Sequence, residues 1–193
     1  MIAIIDYGAG NLKSVKNALD YLGVASKITD KPVDIMKADR LILPGDGSFG
    51  FMMKNLRKRG LINPIKNFIK SGKPFLGICL GLQALFEESE ESPGIKGLSI
   101  FKGNVVKFRK GKVPQIGWNR LIFKNNGIFK NDYMYFVNSY HVVPEDCSII
   151  AAMTDYDGNF ASAIESSKVT AMQFHPEKSG KAGIELLRRW LKC

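Results

Sequence analysis

The chain has 193 residues, 45% of them hydrophobic, which is enough to bury a core without cross-links and fits one domain of residues 1–193. Its formal net charge of +10 comes from scattered basic residues, so we expect a solvated basic surface and no nucleic-acid partner. Three widely spaced cysteines match neither a disulfide framework nor a zinc site, and predict reduced thiols and no bound metal. The apolar residues 1–6 carry no basic segment and are too short for a membrane span, so we expect a cytoplasmic protein that does not enter a membrane.

The first predicted elements are a buried strand at residues 1–6 and a helix with the apolar stripe Leu12, Val15, Leu19 and Leu22. The glycine-rich loop at residues 7–11 joins them, and a loop of this kind can bind phosphate at a helix N-terminus. The third glycine of the dinucleotide motif G-x-G-x-x-G is replaced by Lys13, so the loop is better interpreted as a tight strand-to-helix turn. We therefore expect no cofactor.

A second strand is predicted at residues 40–43, and three glycines follow it in the loop at residues 44–50. A helix should then begin with Asn63 as N-cap and Pro64 at the first helical position, and end at residues 71–72. Strands that alternate with helices predict an α/β fold, with an open, mostly parallel sheet covered by helices on both faces. Ligands of such sheets bind at the carboxyl ends of the strands.

The next strand, at residues 75–78, runs directly into a predicted helix that starts at Leu80, and Cys79 lies between them. Gly77 and Gly81 flank the cysteine in the pattern G-x-Nuc-x-G, which is typical of a nucleophile elbow. The N–H groups and the dipole of a helix N-terminus favour the thiolate form of a cysteine. The alternative is an ordinary buried free cysteine at a strand end.

The second half of the chain is rich in short β-like segments, and only the last segment, from Lys181, returns to a helical pattern. Hairpin turns are predicted at Asn126-Gly127 and at Asp157-Gly158. The predicted strands are residues 100–108, 121–123, 133–137, 149–154, 161–164 and 169–174.

A cysteine nucleophile needs a base and a group that orients the base, and the chain has only two histidines. His175 follows the predicted strand at residues 169–174, so a parallel topology would bring it to the same edge as Cys79. Pro176 should keep the chain extended, so that His175 and Glu177 project to the same side. The alternative is a surface histidine before a helix. We interpret His141 as an edge-strand residue or a neighbour of the substrate.

Acyl transfer also needs an oxyanion hole, which two backbone N–H groups usually provide. Leu80 follows the nucleophile directly and supplies one natural donor. The loop that contains Asp46 and Gly47 ends a neighbouring strand and can supply the other, although a tight turn alone would also explain its glycines.

Two motifs carry a resemblance to a known family: GICLGLQ at residues 77–83 and FHPE at residues 174–177 are similar to those of class I (triad) glutamine amidotransferases, which have a flavodoxin-like fold. Five further motifs resemble the glutaminase subunits of imidazole glycerol phosphate synthases, and the similarity runs essentially from end to end. They are DYGAGN (6–11), PGDGSFG (44–50), QIGWN (115–119), YFVNSY (135–140) and QFHPEKS (173–179).

This resemblance implies that Cys79 is the nucleophile, His175 the general acid and base, and Glu177 the group that orients it. It also implies that the substrate glutamine is held by Gly45, Gly47, Gln83, Ser139 and Tyr140. Two residues depart from the family pattern: Asp46 replaces an apolar residue in the predicted oxyanion loop, and Asn138 replaces a histidine. The change at Asp46 bears on the strength or timing of catalysis.

The resemblance further implies a heterodimer with a (β/α)8-barrel synthase subunit, which uses the released ammonia to convert PRFAR to imidazole glycerol phosphate and AICAR in histidine biosynthesis. A paralogue that supplies ammonia to a sugar-amidating synthase of surface polysaccharides is an alternative. A non-catalytic basic module that binds nucleic acid, and a thiol hydrolase or peptidase on the same scaffold, are further alternatives.

Overall fold

The computed structural model describes residues 1–123 and 127–193, in which thirteen strands and six α-helices form an α/β fold. The helices are α1 (Leu12–Tyr21), α2 (Pro32–Lys37), α3 (Phe49–Lys58), α4 (Ile62–Lys70), α5 (Leu80–Gln83) and α6 (Gly180–Trp190). The strands are β1 (Ile2–Ile5), β2 (Ser26–Thr29), β3 (Arg40–Leu43), β4 (Phe75–Ile78), β5 (Glu88–Ser89), β6 (Gly103–Lys107), β7 (Gln115–Arg120), β8 (Ile122–Phe123), β9 (Tyr133–Asn138), β10 (Tyr140–Pro144), β11 (Ile150–Asp155), β12 (Asn159–Ser166) and β13 (Val169–Met172).

Most of the strands form one sheet with the order β2-β1-β3-β4-β13-β12-β10-β6-β5, and β11 pairs with both β12 and β8. The five strands from β2 to β13 in this order run parallel to one another. β12 is antiparallel to β13 and to β10, β6 is antiparallel to β10, and the short β5 is parallel to β6. β7 and β9 form a separate antiparallel pair. The predicted mostly parallel sheet and β-rich second half are therefore confirmed.

Side chains alternate between the two faces of a strand, so each apolar parallel strand contributes to two buried clusters. Helices cover both faces and complete these clusters. In β1, Ala3 and Ile5 join the buried cluster that also contains residues of α2, α3 and α4, whereas Ile2 and Ile4 join the cluster that contains residues of α1 and α6. None of the helices in the described ranges is both long enough and apolar enough to cross a bilayer.

Several predicted elements appear with the expected bounds, including β3, β4 and the hairpin turn at Asp157-Gly158 between β11 and β12. The turn predicted at Asn126-Gly127 begins outside the described residues. The predicted N-cap of α4 is wrong: Ile65 N–H donates to Leu61 O at 3.1 Å, so the helix starts two residues earlier and Asn63 lies inside its first turn. Pro64 is tolerated there because the first N–H groups of a helix have no helical acceptor.

The helix predicted to start at Leu80 is also shorter than its apolar pattern suggests, because α5 has only four residues. The carbonyls of the next turn accept hydrogen bonds from a distant segment instead. Leu98 N–H donates to Ala84 O at 2.7 Å, and Ile100 N–H donates to Leu85 O at 2.8 Å. A helix of one turn has a small dipole, so it stabilises a negative charge at its N-terminus less than a longer helix would.

Candidate active site

β4 and β13 lie side by side and parallel, with Ile78 opposite Met172. Cys79 follows the first of these strands, and His175 comes three residues after the second, so both reach the carboxyl edge of the sheet. Cys79 N–H extends the pairing by donating to Met172 O at 2.7 Å. The prediction that parallel strands bring these two residues to one edge is confirmed.

The turn at Cys79 has the backbone of a nucleophile elbow. Its φ of +54° and ψ of −110° lie in a region that non-glycine residues rarely occupy, and such strain clusters at functional sites. A Cβ at Gly81 would lie 1.9 Å from Leu43 O, and a Cβ at Gly77 would lie 2.8 Å from Gly81 O. The two flanking glycines are therefore required because the chain passes its neighbours too closely for any side chain.

Gly45 brings the predicted oxyanion loop against this elbow. A Cβ at Gly45 would lie 2.4 Å from the Cβ of Leu80 and 2.6 Å from Gly81 N, so only glycine allows the two backbones to meet. The contact places Asp46 and Gly47 beside Cys79, while Gly45 itself packs behind the pocket and does not line it.

His175 is held between Cys79 and Glu177 inside the protein. Its Nδ1 lies 2.8 Å from Glu177 Oε1, and the two side chains are only 8% and 2% exposed. The interpretation of His175 as a surface residue is therefore wrong. His175 itself is extended, with φ −103° and ψ 97°, as predicted for a residue before proline, but Pro176–Lys178 then form a turn of 3-10 helix in which Lys178 N–H donates to His175 O at 3.1 Å. His175 and Glu177 project to the same side, as expected, although through this turn rather than along an extended chain.

The charges around His175 favour its protonated form. Burial alone lowers the pKa of His175, but hydrogen bonds to Cys79 and Glu177 and the negative charges of both groups outweigh burial and raise the pKa to about 10. Nδ1 bonds to Glu177, which leaves Nε2 as the ring nitrogen available to Cys79. At neutral pH this arrangement holds an imidazolium beside the sulfur.

Ser179 fixes the backbone around the histidine. Its Oγ donates to His175 O at 2.6 Å and accepts from Tyr135 N–H at 2.9 Å, while His175 N–H donates to Tyr135 O at 2.9 Å. These bonds join β9 to the histidine turn. Ser179 was not among the predicted site residues, although it lies within the motif at residues 173–179.

Cys79 opens onto a pocket of about 290 Å³, a size near the lower end of the range for small-molecule sites. The predicted site residues that line it are Asp46, Gly47, Cys79, Leu80, Gln83, Ser139, Tyr140 and His175. Glu177 lies behind His175 and does not line the pocket. His141 does not line it either: it stacks on Phe108 at 4.8 Å between centroids, and its strand β10 pairs on both sides, so the edge-strand interpretation is wrong.

The three backbone N–H groups predicted for the oxyanion hole differ in whether they are already hydrogen-bonded. Leu80 N–H forms no hydrogen bond with the described part of the chain. Asp46 N–H instead donates to Tyr7 Oη at 2.8 Å, and the same hydroxyl donates to Asp46 O at 2.9 Å. Gly47 N–H donates to Asp46 Oδ1 at 2.8 Å. Burial raises the pKa of Tyr7 to about 12, which keeps its hydroxyl protonated as a donor.

Two charged side chains that were not predicted from the sequence, Glu91 and Lys178, also line the pocket. Glu91 Oε2 accepts from Phe49 N–H at 2.6 Å at the start of α3, and Lys178 follows the histidine turn. A carboxylate and an ammonium group suit a ligand that itself carries both charges, such as an amino acid. The acidic segment at residues 87–91 was the available signal, but nothing in its pattern indicated which carboxylate would face the pocket.

The family model for glutamine amidotransferase class-I matches residues 3–192. The chain belongs to this family of class I glutamine amidotransferases. Solved structures of similar shape include a crystal structure of a glutamine amidotransferase, with a TM-score of 0.81 at 21% identity over 100% of this chain and 98% of that one. PurLQS from Thermotoga maritima gives 0.79 at 20% identity over 99% and 97%. These likenesses confirm the predicted fold.

The curated relatives of this class I amidotransferase are closer in sequence. A protein of Pyrococcus furiosus is 49% identical over 98% of this chain and 97% of its own length. A protein of Aquifex aeolicus is 48% identical over 97% and 94%, and one of Methanothermobacter thermautotrophicus is 46% identical over 100% and 98%. Each is named imidazole glycerol phosphate synthase subunit HisH.

Proposed function

We propose that this chain is the glutaminase subunit of an imidazole glycerol phosphate synthase in histidine biosynthesis, and that residues 1–193 act as one amidotransferase domain. It hydrolyses glutamine to glutamate and ammonia, and the ammonia serves a separate synthase subunit. One observation carries the chemistry: a buried pair of a carboxylate and an imidazole beside a strained cysteine that faces a small pocket. The full-length similarity to the HisH proteins supports the pathway.

In the first half of the reaction the Cys79 thiolate attacks the side-chain amide carbon of glutamine. A C–S bond forms, and the electron pair of the carbonyl moves to its oxygen. When this intermediate collapses the C–N bond breaks, and His175 gives its Nε2 proton to the departing nitrogen, which leaves as ammonia. A glutamyl thioester and a neutral imidazole remain.

The second half uses the same groups in reverse. The neutral imidazole of His175 takes a proton from water as the water oxygen adds to the thioester carbon, and the collapse of the second intermediate breaks the C–S bond. Glutamate leaves, and the thiolate–imidazolium pair is restored. Glu177 keeps Nδ1 protonated and stabilises the imidazolium, as a triad carboxylate does.

The oxyanion of both intermediates has Leu80 N–H as its available donor. A second donor from the loop requires a change, because Gly47 N–H bonds to the carboxylate of Asp46 and Asp46 N–H bonds to Tyr7. Breaking either bond would free an amide for the oxyanion. We infer that the isolated chain hydrolyses glutamine slowly and that binding of the synthase subunit rearranges the loop.

We assign the binding of glutamine to charged side chains that complement the charges of the substrate and to polar side chains of the pocket wall. Glu91 suits the α-ammonium group, and Gln83, Ser139 and Tyr140 line the wall where the remaining polar atoms of the substrate would lie. Gly47 lines the pocket with its backbone and has no side chain that would occupy the volume needed by the substrate. Asn138, which departs from the family pattern, donates from Nδ2 to Tyr140 O at 3.1 Å and so supports this wall.

The partner is a (β/α)8-barrel synthase that uses ammonia to convert PRFAR to imidazole glycerol phosphate and AICAR. The outer face of β7 and β9 is the surface we propose for docking, because Ile116, Trp118 and Tyr133 are large apolar side chains exposed together on it. Val137 of the same β9 lines the pocket beside Cys79. A partner on this face would therefore lie close to the point where ammonia is released.

The test combines the purified chain with the synthase subunit of a histidine pathway, glutamine and PRFAR. We expect a complex that forms imidazole glycerol phosphate and hydrolyses glutamine faster than the chain alone. The proposal fails if the two proteins neither bind nor turn over PRFAR with glutamine. Turnover only with a sugar-amidating synthase would show that the pathway, rather than the chemistry, is wrong.

A further inference from the structure

We propose that Gln173 is a further catalytic residue of this site, whose side-chain amide donates a hydrogen bond to Cys79 Sγ and stabilises the thiolate. Gln173 Nε2 lies 3.5 Å from the sulfur, and the residue is completely buried. The reaction that it serves rests on the proposed function, but the contact with the sulfur does not. A fully buried polar side chain aimed at the reacting atom needs an explanation that the triad does not supply.

The orientation of the Gln173 amide follows from its neighbours. Tyr140 O is a backbone carbonyl and can only accept, so the group that lies 3.1 Å from it is the NH2 of Gln83. The same Nε2 of Gln83 lies 3.0 Å from Gln173 and donates to it, so the atom it meets is Oε1. The remaining end of the Gln173 amide, which faces Cys79, is therefore its NH2 group.

A donor at this position matters because the other neighbours of the sulfur do not hold the thiolate throughout the reaction. Val137 O lies 3.9 Å away as an acceptor and favours the protonated thiol. His175 loses its proton to the departing ammonia, so it is neutral while the thioester exists. An amide N–H cannot transfer its proton, so Gln173 still stabilises the sulfur when it becomes the leaving group of the second step.

Two variants separate the two ends of this amide. Gln173→Glu keeps an oxygen for Gln83 but places a carboxylate, which cannot donate when ionised, against the sulfur. Gln173→Met removes both polar ends from a side chain of similar length. Gln115→Met is the matched control, because Gln115 is the other buried glutamine outside this network and does not line the pocket.

The readout is the rate at which iodoacetamide alkylates Cys79 as a function of pH. Peptide mass spectrometry must report the site, because Cys147 and Cys193 are exposed free thiols. We expect the alkylation profile of both Gln173 variants to move to higher pH by about one unit, a tenfold change that matches one hydrogen bond to a charged group. The alkylation profile of Gln115→Met should coincide with that of the parent protein. In the complex, the Gln173 variants should lower kcat by a similar factor and change KM little.

The inference is overturned if a folded Gln173→Met protein reacts with the same pH profile as the parent. If that variant does not fold, an unshifted profile of Gln173→Glu, which preserves the bond to Gln83, overturns the inference as well. Alkylation needs neither glutamine nor a partner. A shifted profile in a chain without glutaminase activity would therefore support the contact and refute the proposed function, and an unshifted profile in an active enzyme would refute the role of Gln173 alone.

Discussion

His175 Nδ1 lies 2.8 Å from Glu177 Oε1, and this pair forms through a turn of 3-10 helix rather than along an extended strand. The turn follows β13, which is parallel and adjacent to β4, so the imidazole is brought to the end of the strand that carries Cys79. The geometry fixes which nitrogen bonds to the carboxylate and which one serves the sulfur. It also explains why the histidine is protonated at neutral pH despite its burial.

Replacement of the carboxylate tests its role in orienting and charging the imidazole. Glu177→Gln keeps a polar group of the same shape but removes a negative charge that raises the pKa of His175. We expect kcat to fall roughly 10²-fold, within the range contributed by a positioned acid–base group, and the alkaline limb of the kcat profile to move to lower pH. Glutaminase assays of the complex between pH 6 and 10 would measure both. An unchanged profile would contradict this account of the pair.

The same pair predicts how stability depends on pH. The pKa of His175 is about 10 in the folded chain and near its ordinary value of 6.5 when unfolded. The folded state holds the proton more tightly, so its stabilisation is fully present below pH 6.5 and is lost as the pH rises to 10. The free energy of unfolding in urea should therefore fall more steeply over this interval for the parent than for His175→Gln. Parallel curves for the two proteins would show that the histidine is not linked to folding.

Removal of the Asp46 carboxylate is expected to raise the rate of glutamine hydrolysis, in contrast to the loss expected for Glu177→Gln. Its carboxylate occupies Gly47 N–H, so Asp46→Ala should free that amide for the oxyanion and remove a nearby negative charge. We expect glutamine hydrolysis by the chain without its partner to increase, by at most the roughly 10²-fold that one oxyanion donor contributes. Asp20→Ala changes a surface aspartate on α1 and serves as the control. A variant that is slower than this control would mean that the carboxylate assists catalysis.

The proposed docking face can be tested with two exposed aromatic residues. Trp118 on β7 is 56% exposed, and Phe51 on α3 is 46% exposed, but only the tryptophan lies on the face formed by β7 and β9. Trp118→Ala should weaken binding to the synthase subunit by about 30-fold or more, the effect of losing an aromatic hot spot. Phe51→Ala should not. Calorimetric titration would measure both, and equal affinities for the two variants would place the interface elsewhere.

Local patterns in the sequence were sufficient to predict the elements that position the nucleophile. The apolar segment of β4 and the glycines around Cys79 are local consequences of a buried strand and of backbones in close contact, so they could be predicted from spacing alone. The alternation of strands and helices predicted a parallel sheet, and a parallel sheet places His175 at the same edge as Cys79. These features depend on neighbours in sequence or on a general rule of topology.

The features that were missed depend on distant contacts. The length of α5 is limited by hydrogen bonds from residues 97–101, which no local pattern indicates. β7 was not predicted; its two large apolar residues, Ile116 and Trp118, are exposed, whereas the polar Gln115 is buried, which reverses the usual pattern of a half-buried strand. The bond from Gly47 N–H to Asp46 depends on side-chain orientation. The contact between Gln173 and the sulfur joins two residues that lie 94 positions apart in the chain.

The central claim is that Cys79 produces ammonia for use by another subunit. It is tested most directly by product formation in the complex of the synthase with Cys79→Ala, supplied with either glutamine or ammonium salt. We predict that synthesis from glutamine disappears while synthesis from ammonia proceeds at the rate of the parent complex. Equal loss of both activities, or synthesis from glutamine that survives the substitution, would contradict the account.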